Sequence, residues 1–447
     1  MKKILIAGLG RSGLASAKML AGANELCCWD CKPRSSFDEL SLAELESLGV
    51  SLCFGEAPEL EDFDELLLSP GISAEGELAK RARSLGIRVT GELEAAFENC
   101  RGKFVAITGT NGKTTTTELS GEMFKAAGLK AEVVGNIGLA ASSRAAEADE
   151  DSYMITEVSS FQLETADSFR PFISAILNLT PDHLDRHGSF EEYIRMKARI
   201  FVNQTGEDIF VYNADDVEAE KLAQTCRTKK FAFSRKFKPQ TPCAFARGGV
   251  LCVDEGCGEI EIIETRDIRI PGAHNLENAL AATAISFSAG IDADIIASVL
   301  RSFEGVEHRI EFVRELAGVR YINDSKATNP DSAIKAIEAV SPPIILIAGG
   351  YEKNSDFREL IELFAGRVKH LLLLGTTAKR FAASAIACGF DADKITFADS
   401  MSGAVKTAAK LAEAGDSVLL SPACASLDMY ANYEERGKEF KSLVKAL

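Results

Sequence analysis

Residues 104–115 read Phe-Val-Ala-Ile-Thr-Gly-Thr-Asn-Gly-Lys-Thr-Thr: an apolar run shaped like a buried strand, a glycine turn, and a Gly-Lys-Thr that opens a helix. This wiring commits the segment to a parallel α/β sheet and to a phosphate. Backbone N–H groups and a helix N-terminus face an anion, a lysine reaches the terminal phosphates, and a threonine hydroxyl can sit on Mg²⁺. The chain is therefore expected to bind ATP or a similar triphosphate through Gly109, Thr110, Asn111, Gly112, Lys113, Thr114 and Thr115. The spacing is unusual. A general P-loop carries glycine five positions ahead of the Gly-Lys glycine, and here that position is Ile107. A glycine turn without a ligand is the bland alternative, but packing alone gives no reason for Lys-Thr after the second glycine.

A chain of 447 residues suggests about three domains. The net charge of −16, with no basic run, excludes general nucleic-acid binding. Eleven cysteines are scattered, and only Cys27, Cys28 and Cys31 lie close together. A zinc site needs a second cluster, so these read as small apolar residues at a strand end, in keeping with a reducing cytosol. Met1-Lys2-Lys3 before an apolar stretch imitates a signal peptide, but Arg11 and Lys18 interrupt what would be its core, so export is not expected. No stretch approaches eighteen uninterrupted apolar residues, so no membrane span is expected either. The expectation is a cytoplasmic monomer.

Three segments follow from the pattern. In 1–91, a strand at 4–7 runs into Gly8-Leu9-Gly10-Arg11-Ser12-Gly13 and a helix near 12–22. A second strand, 25–29, ends at Asp30, and a third, 65–68, ends in Ser69-Pro70-Gly71. Alternating strands and helices give a parallel sheet with ligands at the carboxyl ends of its strands. The glycines followed by Asp30 look like a dinucleotide fingerprint, which places a pyrophosphate or ribose near the first turn without saying whose. Segment 92–305 holds the cradle, strands at 153–156 and 175–179, β-hairpins around 231–264 and a helix at 274–284. Segment 306–447 has apolar runs at 344–348, 371–374 and 418–420, each ending in glycine or Ser-Pro. The fold class expected is α/β in three domains: a Rossmann-like first domain, a P-loop ATPase-like middle domain with a small β-hairpin sheet, and a Rossmann-like last domain.

Other motifs fall at strand ends. Glu157, in Thr156-Glu157-Val158-Ser159-Ser160-Phe161-Gln162, is suited to hold Mg²⁺ on the β/γ phosphates, or else caps the next helix. Asp182-His183-Leu184-Asp185-Arg186-His187 makes His183 a metal-ligand candidate, while His187 reads as surface. Lys197, alone in a helical pattern, reads as a solvated lysine. Asn275 and Asn278 lie one turn apart and could read an adenine edge, or serve as a cap. In the last segment, Asp324 could hold ribose hydroxyls, and Arg309 and Lys326 could neutralise γ-phosphate charge. A phosphate site in the middle domain that needs basic residues from the last one implies domain closure.

Taken in order, GTNGKTT, EVSSFQLE, DHLDRH, HNLENALAA, EHR, NDSKATN and SPACASLDMYANYEERGKEF resemble the Mur ligases of peptidoglycan synthesis, over essentially the whole chain. NDSKATNP and SPACASLD look most like the D-glutamate-adding member, and the shortened glycine spacing is that family's own form. The resemblance implies that ATP, UDP-N-acetylmuramoyl-L-alanine and D-glutamate give ADP, phosphate and the D-glutamyl product, through an acyl phosphate and a tetrahedral intermediate. It also implies two Mg²⁺ ions: one on Thr114 and Glu157, the other on His183 and a Lys197 carrying a CO₂-derived carbamate. A carbamate offers an anionic oxygen where an ammonium would repel the metal. Lys113, His183, Lys197 and Lys326 would be catalytic, and Asn275, Asn278, Arg309, Asp324 and Lys326 would join the cradle in binding ATP. Asn136, Ser159, Gln162 and His183 would contact the muramoyl substrate, and Thr328, Lys353, Ser426, Leu427 and Tyr433 the D-glutamate. Uridine diphosphate would lie on Gly10, Arg11, Ser12, Gly13, Asp30, Cys31, Lys32, Ser69 and Gly71. Two departures fall there: Cys31-Lys32 stands where the family often has Thr-Arg, and Ala74-Glu75-Gly76 follows Ser-Pro-Gly-Ile-Ser without the expected proline.

The alternatives within the superfamily are the ligases adding L-alanine or a diamino acid and folylpolyglutamate synthase, which the SPACASLD stretch disfavours. An NAD-dependent dehydrogenase would leave the second cradle and DHLDRH without a role. A mechanical P-loop ATPase would turn over ATP without any amino acid.

Overall fold

In the computed structural model, which describes residues 1–136, 138–351 and 356–447 (backbone alone at Asp185 and Asp331), strand β1 (Lys3–Ala7) buries both faces. Ile4 and Ile6 point to one core and Leu5 and Ala7 to another, as a parallel strand covered on both sides requires. With β2 (Glu25–Asp30), β3 (Ser51–Phe54), β4 (Glu65–Leu68) and β5 (Arg88–Gly91) it forms a parallel sheet of order β3-β2-β1-β4-β5. Cys27 and Cys28 lie buried in β2, where burial pushes each thiol up to about 12, the value of an inert packing residue. Cys31 is exposed.

The second sheet contains β6 (Lys103–Thr108), β7 (Lys130–Gly135), β8 (Ser152–Glu157), β9 (Ile173–Ile176), β10 (Ile209–Asn213), β11 (Lys229–Ser234), β12 (Cys243–Arg247), β13 (Val250–Asp254) and β14 (Glu259–Glu264). Its order is β14-β13-β12-β11-β10-β9-β6-β8-β7. The hairpins are present, with Gly248 and Gly249 both at positive φ in the β12–β13 turn. They do not make a small sheet of their own, as the sequence suggested. β12 pairs in parallel with β11, so the meander extends the main sheet, because the edge of β11 offers unpaired backbone groups. The cradle strand β6 sits between β9 and β8, and these neighbours bring Asn178 and Glu157 to it.

The third sheet holds β15 (Glu311–Leu316), β16 (Val319–Asn323), β17 (Ile344–Gly349), β18 (Val368–Leu374), β19 (Ile395–Phe397) and β20 (Ser417–Leu420), in the order β15-β16-β20-β17-β18-β19. All pairings are parallel except that of the edge strand β15. The chain divides into two compact units: Met1–Arg269 with Asn275–Phe303, which holds the first two sheets, and Ile270–His274 with Glu304–Leu447, which holds the third. Among the described residues no helix is long and apolar enough to cross a membrane.

Candidate functional site

β6 ends at a turn only glycine can make. Gly109 has φ +156° and Gly112 has φ +83°; a Cβ on Gly112 would lie 2.3 Å from Asn278 Oδ1. Gly112 caps the helix Lys113–Ala126, whose first N–H groups point into the loop. Lys113 Nζ donates to the carbonyls of Gly109 and Thr110, both at 2.9 Å. Thr114 Oγ1 donates to Glu157 Oε2 at 2.8 Å. Asn178 braces the loop: its Oδ1 accepts from Asn111 N at 2.8 Å and its Nδ2 donates to Asn111 O at 3.0 Å. Thr110 Oγ1 reaches Thr180 O at 3.0 Å and Tyr193 Oη at 3.1 Å, and Thr115 is buried behind it. Asn278 Nδ2 donates to Asn275 Oδ1 at 3.1 Å, so that amide pair stands against the cradle helix.

Lys197 is not a solvated lysine. Its side chain is 2% exposed, on the inner face of the helix Phe190–Val202. Nζ donates to Gly109 O at 2.9 Å and to Thr108 Oγ1 at 3.2 Å, and lies 4.8 Å from the Tyr193 ring centroid. Burial first, and then the Lys113 cation, pushes its amine well below the ordinary lysine value against the pull of Asp182 and Glu157.

The DHLDRH segment divides its labour. His183, at φ +51°, starts the short helix Leu184–His187 and sets its ring 4.9 Å from that of Phe161, with Asp182 Oδ2 at 3.6 Å. Arg186 grips Glu164 through Nε (2.9 Å) and Nη2 (2.7 Å), donates to Pro70 O at 3.3 Å and stacks on Phe161. His187, expected at the surface, is buried and bonded to Ser160 Oγ at 3.0 Å, because its helix folds back onto that of Phe161.

A cavity of about 600 Å³ opens at the carboxyl end of the first sheet. It brings together Gly10, Arg11, Ser12, Asp30, Cys31 and Lys32 from the first two turns. Ser69 and Gly71 come from the third turn, and Asn136 and Gln162 reach it from the second sheet. Gly13 stands behind the wall, where a Cβ would meet Gly8 O at 1.9 Å. Ser159 and Gln162 form a reciprocal cap on the helix Ser160–Leu163. Trp29, not singled out in the sequence although it directly precedes Asp30, also lines the cavity. Glu92, away from the cavity lining, is fully buried; it accepts from Ser142 N at 2.7 Å and Oγ at 2.8 Å, and burial raises its pKa. A separate cavity of about 680 Å³ is lined by Arg83, Arg88, Arg186, Arg195 and Arg199. Each of these guanidiniums is already held by carboxylates or carbonyls, so that cavity offers a ligand little free charge.

In the other unit, Asp324 is fully buried at the end of β16; Oδ2 accepts from Ser421 Oγ at 2.8 Å and Oδ1 from Ile310 N at 3.2 Å. Burial lifts its pKa to about 6, against the opposing pull of Arg309. Lys326 Nζ lies 5.7 Å from the Tyr433 ring centroid, and Tyr433 O accepts from Ser325 Oγ at 2.8 Å. Thr328 follows on the same loop, its N–H donating to Lys326 O at 2.9 Å. Ser426 is buried and Leu427 exposed. Lys353 lies outside the described residues. The keystone here is Arg436, which sequence reasoning quoted without a role. It donates to Ser325 O at 2.7 Å and to Cys424 O and Ala425 O at 3.2 Å, tying the Asn323–Asn329 loop to the one after β20.

Two family matches cover most of the chain: the Mur ligase middle domain at residues 107–286, and the Mur ligase glutamate ligase domain at residues 308–424. The chain is 47% identical over 450 residues to the UDP-N-acetylmuramoylalanine–D-glutamate ligase of Caldanaerobacter subterraneus subsp. tengcongensis, covering 100% of this chain and 98% of that one. It is 44% identical over 452 residues to the ligase of that name from Clostridioides difficile, covering 100% and 99%. Among solved structures, the UDP-N-acetylmuramate–alanine ligase of Thermotoga maritima superposes with a TM-score of 0.63 at 19% identity, over all of both chains. A MurF ligase from Thermotoga maritima, in complex with ADP, superposes with a TM-score of 0.61 at 18% identity, over 95% and 96%.

Proposed function

The chain belongs to the Mur ligase family, and from that premise we propose that it is the ATP-dependent ligase that joins D-glutamate to UDP-N-acetylmuramoyl-L-alanine. The observation that carries this reading is Asn136. It lines the 600 Å³ cavity, and its Nδ2 donates at 3.0 Å to Glu157 Oε1, while Glu157 Oε2 accepts from Thr114 of the cradle. One carboxylate thus joins the pocket for an acceptor substrate to the pocket for a triphosphate. That is the juxtaposition needed to activate a carboxylate with ATP.

A carboxylate acylates poorly because its leaving group would be oxide. In the proposed route the alanyl carboxylate oxygen attacks the γ-phosphorus and ADP leaves. The D-glutamate amine then adds to the acyl phosphate carbonyl, loses a proton, and the tetrahedral intermediate collapses with loss of phosphate. Lys113 neutralises charge at the cradle, with Arg309 and Lys326 as further cations. Asn275 and Asn278 are assigned to ATP, as is Asp324. Thr328, Ser426, Leu427 and Tyr433 are assigned to D-glutamate, together with Lys353.

The adjacent Thr114 hydroxyl and Glu157 carboxylate are the hard oxygen donors Mg²⁺ takes, and we assign them to one ion. A second ion is assigned to His183 and to Lys197 as its carbamate; the buried, charge-suppressed amine fits, because only a neutral amine adds CO₂. Bound Mg²⁺ would offset the negative charge where two anions meet. We assign the segments 1–91, 92–305 and 306–447 to the UDP-substrate, ATP and amino acid respectively, in a cytoplasmic enzyme.

Phosphate release with UDP-N-acetylmuramoyl-L-alanine and a panel of amino acids tests the assignment. Release should depend on D-glutamate. Preference for L-alanine or meso-diaminopimelate, or release without any amino acid, would overturn it.

A further inference from the structure

Asp30, the acidic residue that ends β2, is already engaged by backbone: Oδ2 accepts from Leu9 N of the first glycine turn at 2.9 Å and Oδ1 from Lys32 N at 3.0 Å. Its first task is to hold the two turns that frame the cavity. Ser69 Oγ seals a third side by donating to Gly8 O at 2.9 Å. These contacts shape a mouth suited to phosphate and ribose, but none of them grips a flat heterocycle. The one aromatic ring among the residues lining the cavity is Trp29. It sits at the carboxyl end of β2, paired in register with Ala7 of β1. Its indole is fixed rather than loose. Nε1 donates to Gly55 O at 3.1 Å, and the ring packs with Ile72 and Leu78 against the core beneath the sheet. Ile72 and Leu78 line the cavity beside it, so this end of the pocket is an apolar shelf with an anchored π-face.

We propose that Trp29 is the platform on which the base of the UDP-substrate stacks, which makes it a binding residue for the nucleobase. The inference rests on the reading that this cavity takes a uridine diphosphate. Stacking on a pinned indole costs little ordering, because the ring is held before the ligand arrives.

Trp29 is the only tryptophan of the chain, so tryptophan emission reports on this ring alone. UDP is titrated into the full-length protein, followed in parallel by emission and by calorimetry, with inorganic pyrophosphate as a ligand lacking the base. UDP should change Trp29 emission with the same midpoint as the calorimetric isotherm, and pyrophosphate should leave emission unchanged. Trp29→Ala should weaken UDP roughly tenfold or more, while Trp29→Phe, which keeps a stacking face, should stay within about threefold. Calorimetric binding of UDP with unchanged emission would place the base elsewhere and overturn the platform, leaving the proposed substrate intact. No calorimetric binding of UDP at all would overturn both. If Trp29→Ala does not fold, the emission titration and the Trp29→Phe affinity still decide the matter.

Discussion

Lys197 in one unit and Asp324 in the other are both charges taken out of water, and their surroundings treat them oppositely. Lys197 is met by a carbonyl and a hydroxyl, and the largest influence after burial is another cation, Lys113. Burial and that neighbouring cation both disfavour the charged form of the amine beside the phosphate cradle. Asp324 is met by two donors, Ser421 Oγ and Ile310 N, with Arg309 and Arg436 adding favourable charge. Those partners offset enough of the burial cost to hold its carboxyl at about 6 rather than higher. Burial beside a like charge, only partly offset by Asp182 and Glu157, favours the uncharged amine at Lys197, whereas burial with donors makes an anchor of Asp324.

The largest effects should come from the cationic side. Lys113→Ala removes both the charge proposed to meet the phosphates and the repulsion that disfavours the Lys197 ammonium, and phosphate release should fall roughly 10³-fold. Lys197→Ala should cost roughly 10²–10³-fold, and millimolar short-chain carboxylic acids should restore at least part of it by supplying the anionic oxygen of the proposed carbamate. Lys197→Arg should stay inactive and unrescued, since a guanidinium cannot give up its proton. Turnover near wild type in Lys197→Ala would mean that this buried amine is structural, and the contrast with Asp324 would collapse.

The sequence disclosed the half of this picture that is local. A strand, two glycines and Lys-Thr are contiguous, so the cradle could be read without knowing where anything else lies, and the turns at Asp30 and Ser69 could be read in the same way. Lys197 could not. Its helix pattern puts a lysine where solvent is the natural expectation, and only the passage of β6 beneath that helix buries it. Arg436 meets Ser325 from 111 positions away, and Asn178 reaches Asn111 from 67, so neither role has a local signal. The stretch 231–264 reads as hairpins in the sequence, but β11 at its start runs parallel to both neighbours, and the sheet that the hairpins of β12–β14 join is settled by the edge of β11. Trp29 has a local signal, an aromatic directly before Asp30 at the end of β2.

Asp324 should show its anchoring in a pH profile. Its folded pKa of about 6 lies above the usual 3.8, so the folded state holds the proton more tightly than the unfolded chain. The stability this confers is complete below pH 3.8, is lost as pH rises toward 6, and stays absent above it; the total is about 3 kcal/mol. Asp324→Asn should flatten that segment of the profile, measured as denaturant midpoint against pH. An unchanged slope between pH 4 and 6 would mean that the carboxyl is better solvated than its burial implies.

The smallest effect isolates one partner. Ser421→Ala removes the 2.8 Å bond to Asp324 Oδ2 and should cost about 1–2 kcal/mol where the carboxylate is charged. Because the hydroxyl favours the charged form, its loss should raise the Asp324 pKa beyond about 6. The destabilisation should then be greater at pH 8 than at pH 5, where much of the carboxyl is already protonated. In the Asp324→Asn background the same substitution should cost less and lose its pH dependence. Equal losses at both pH values, or strict additivity of the two substitutions, would mean that Ser421 does not hold the charge. Asp324 would then be, like Lys197, a buried charge without a sufficient partner, and the distinction between the two sites would have to be drawn from Arg309 and Arg436 alone.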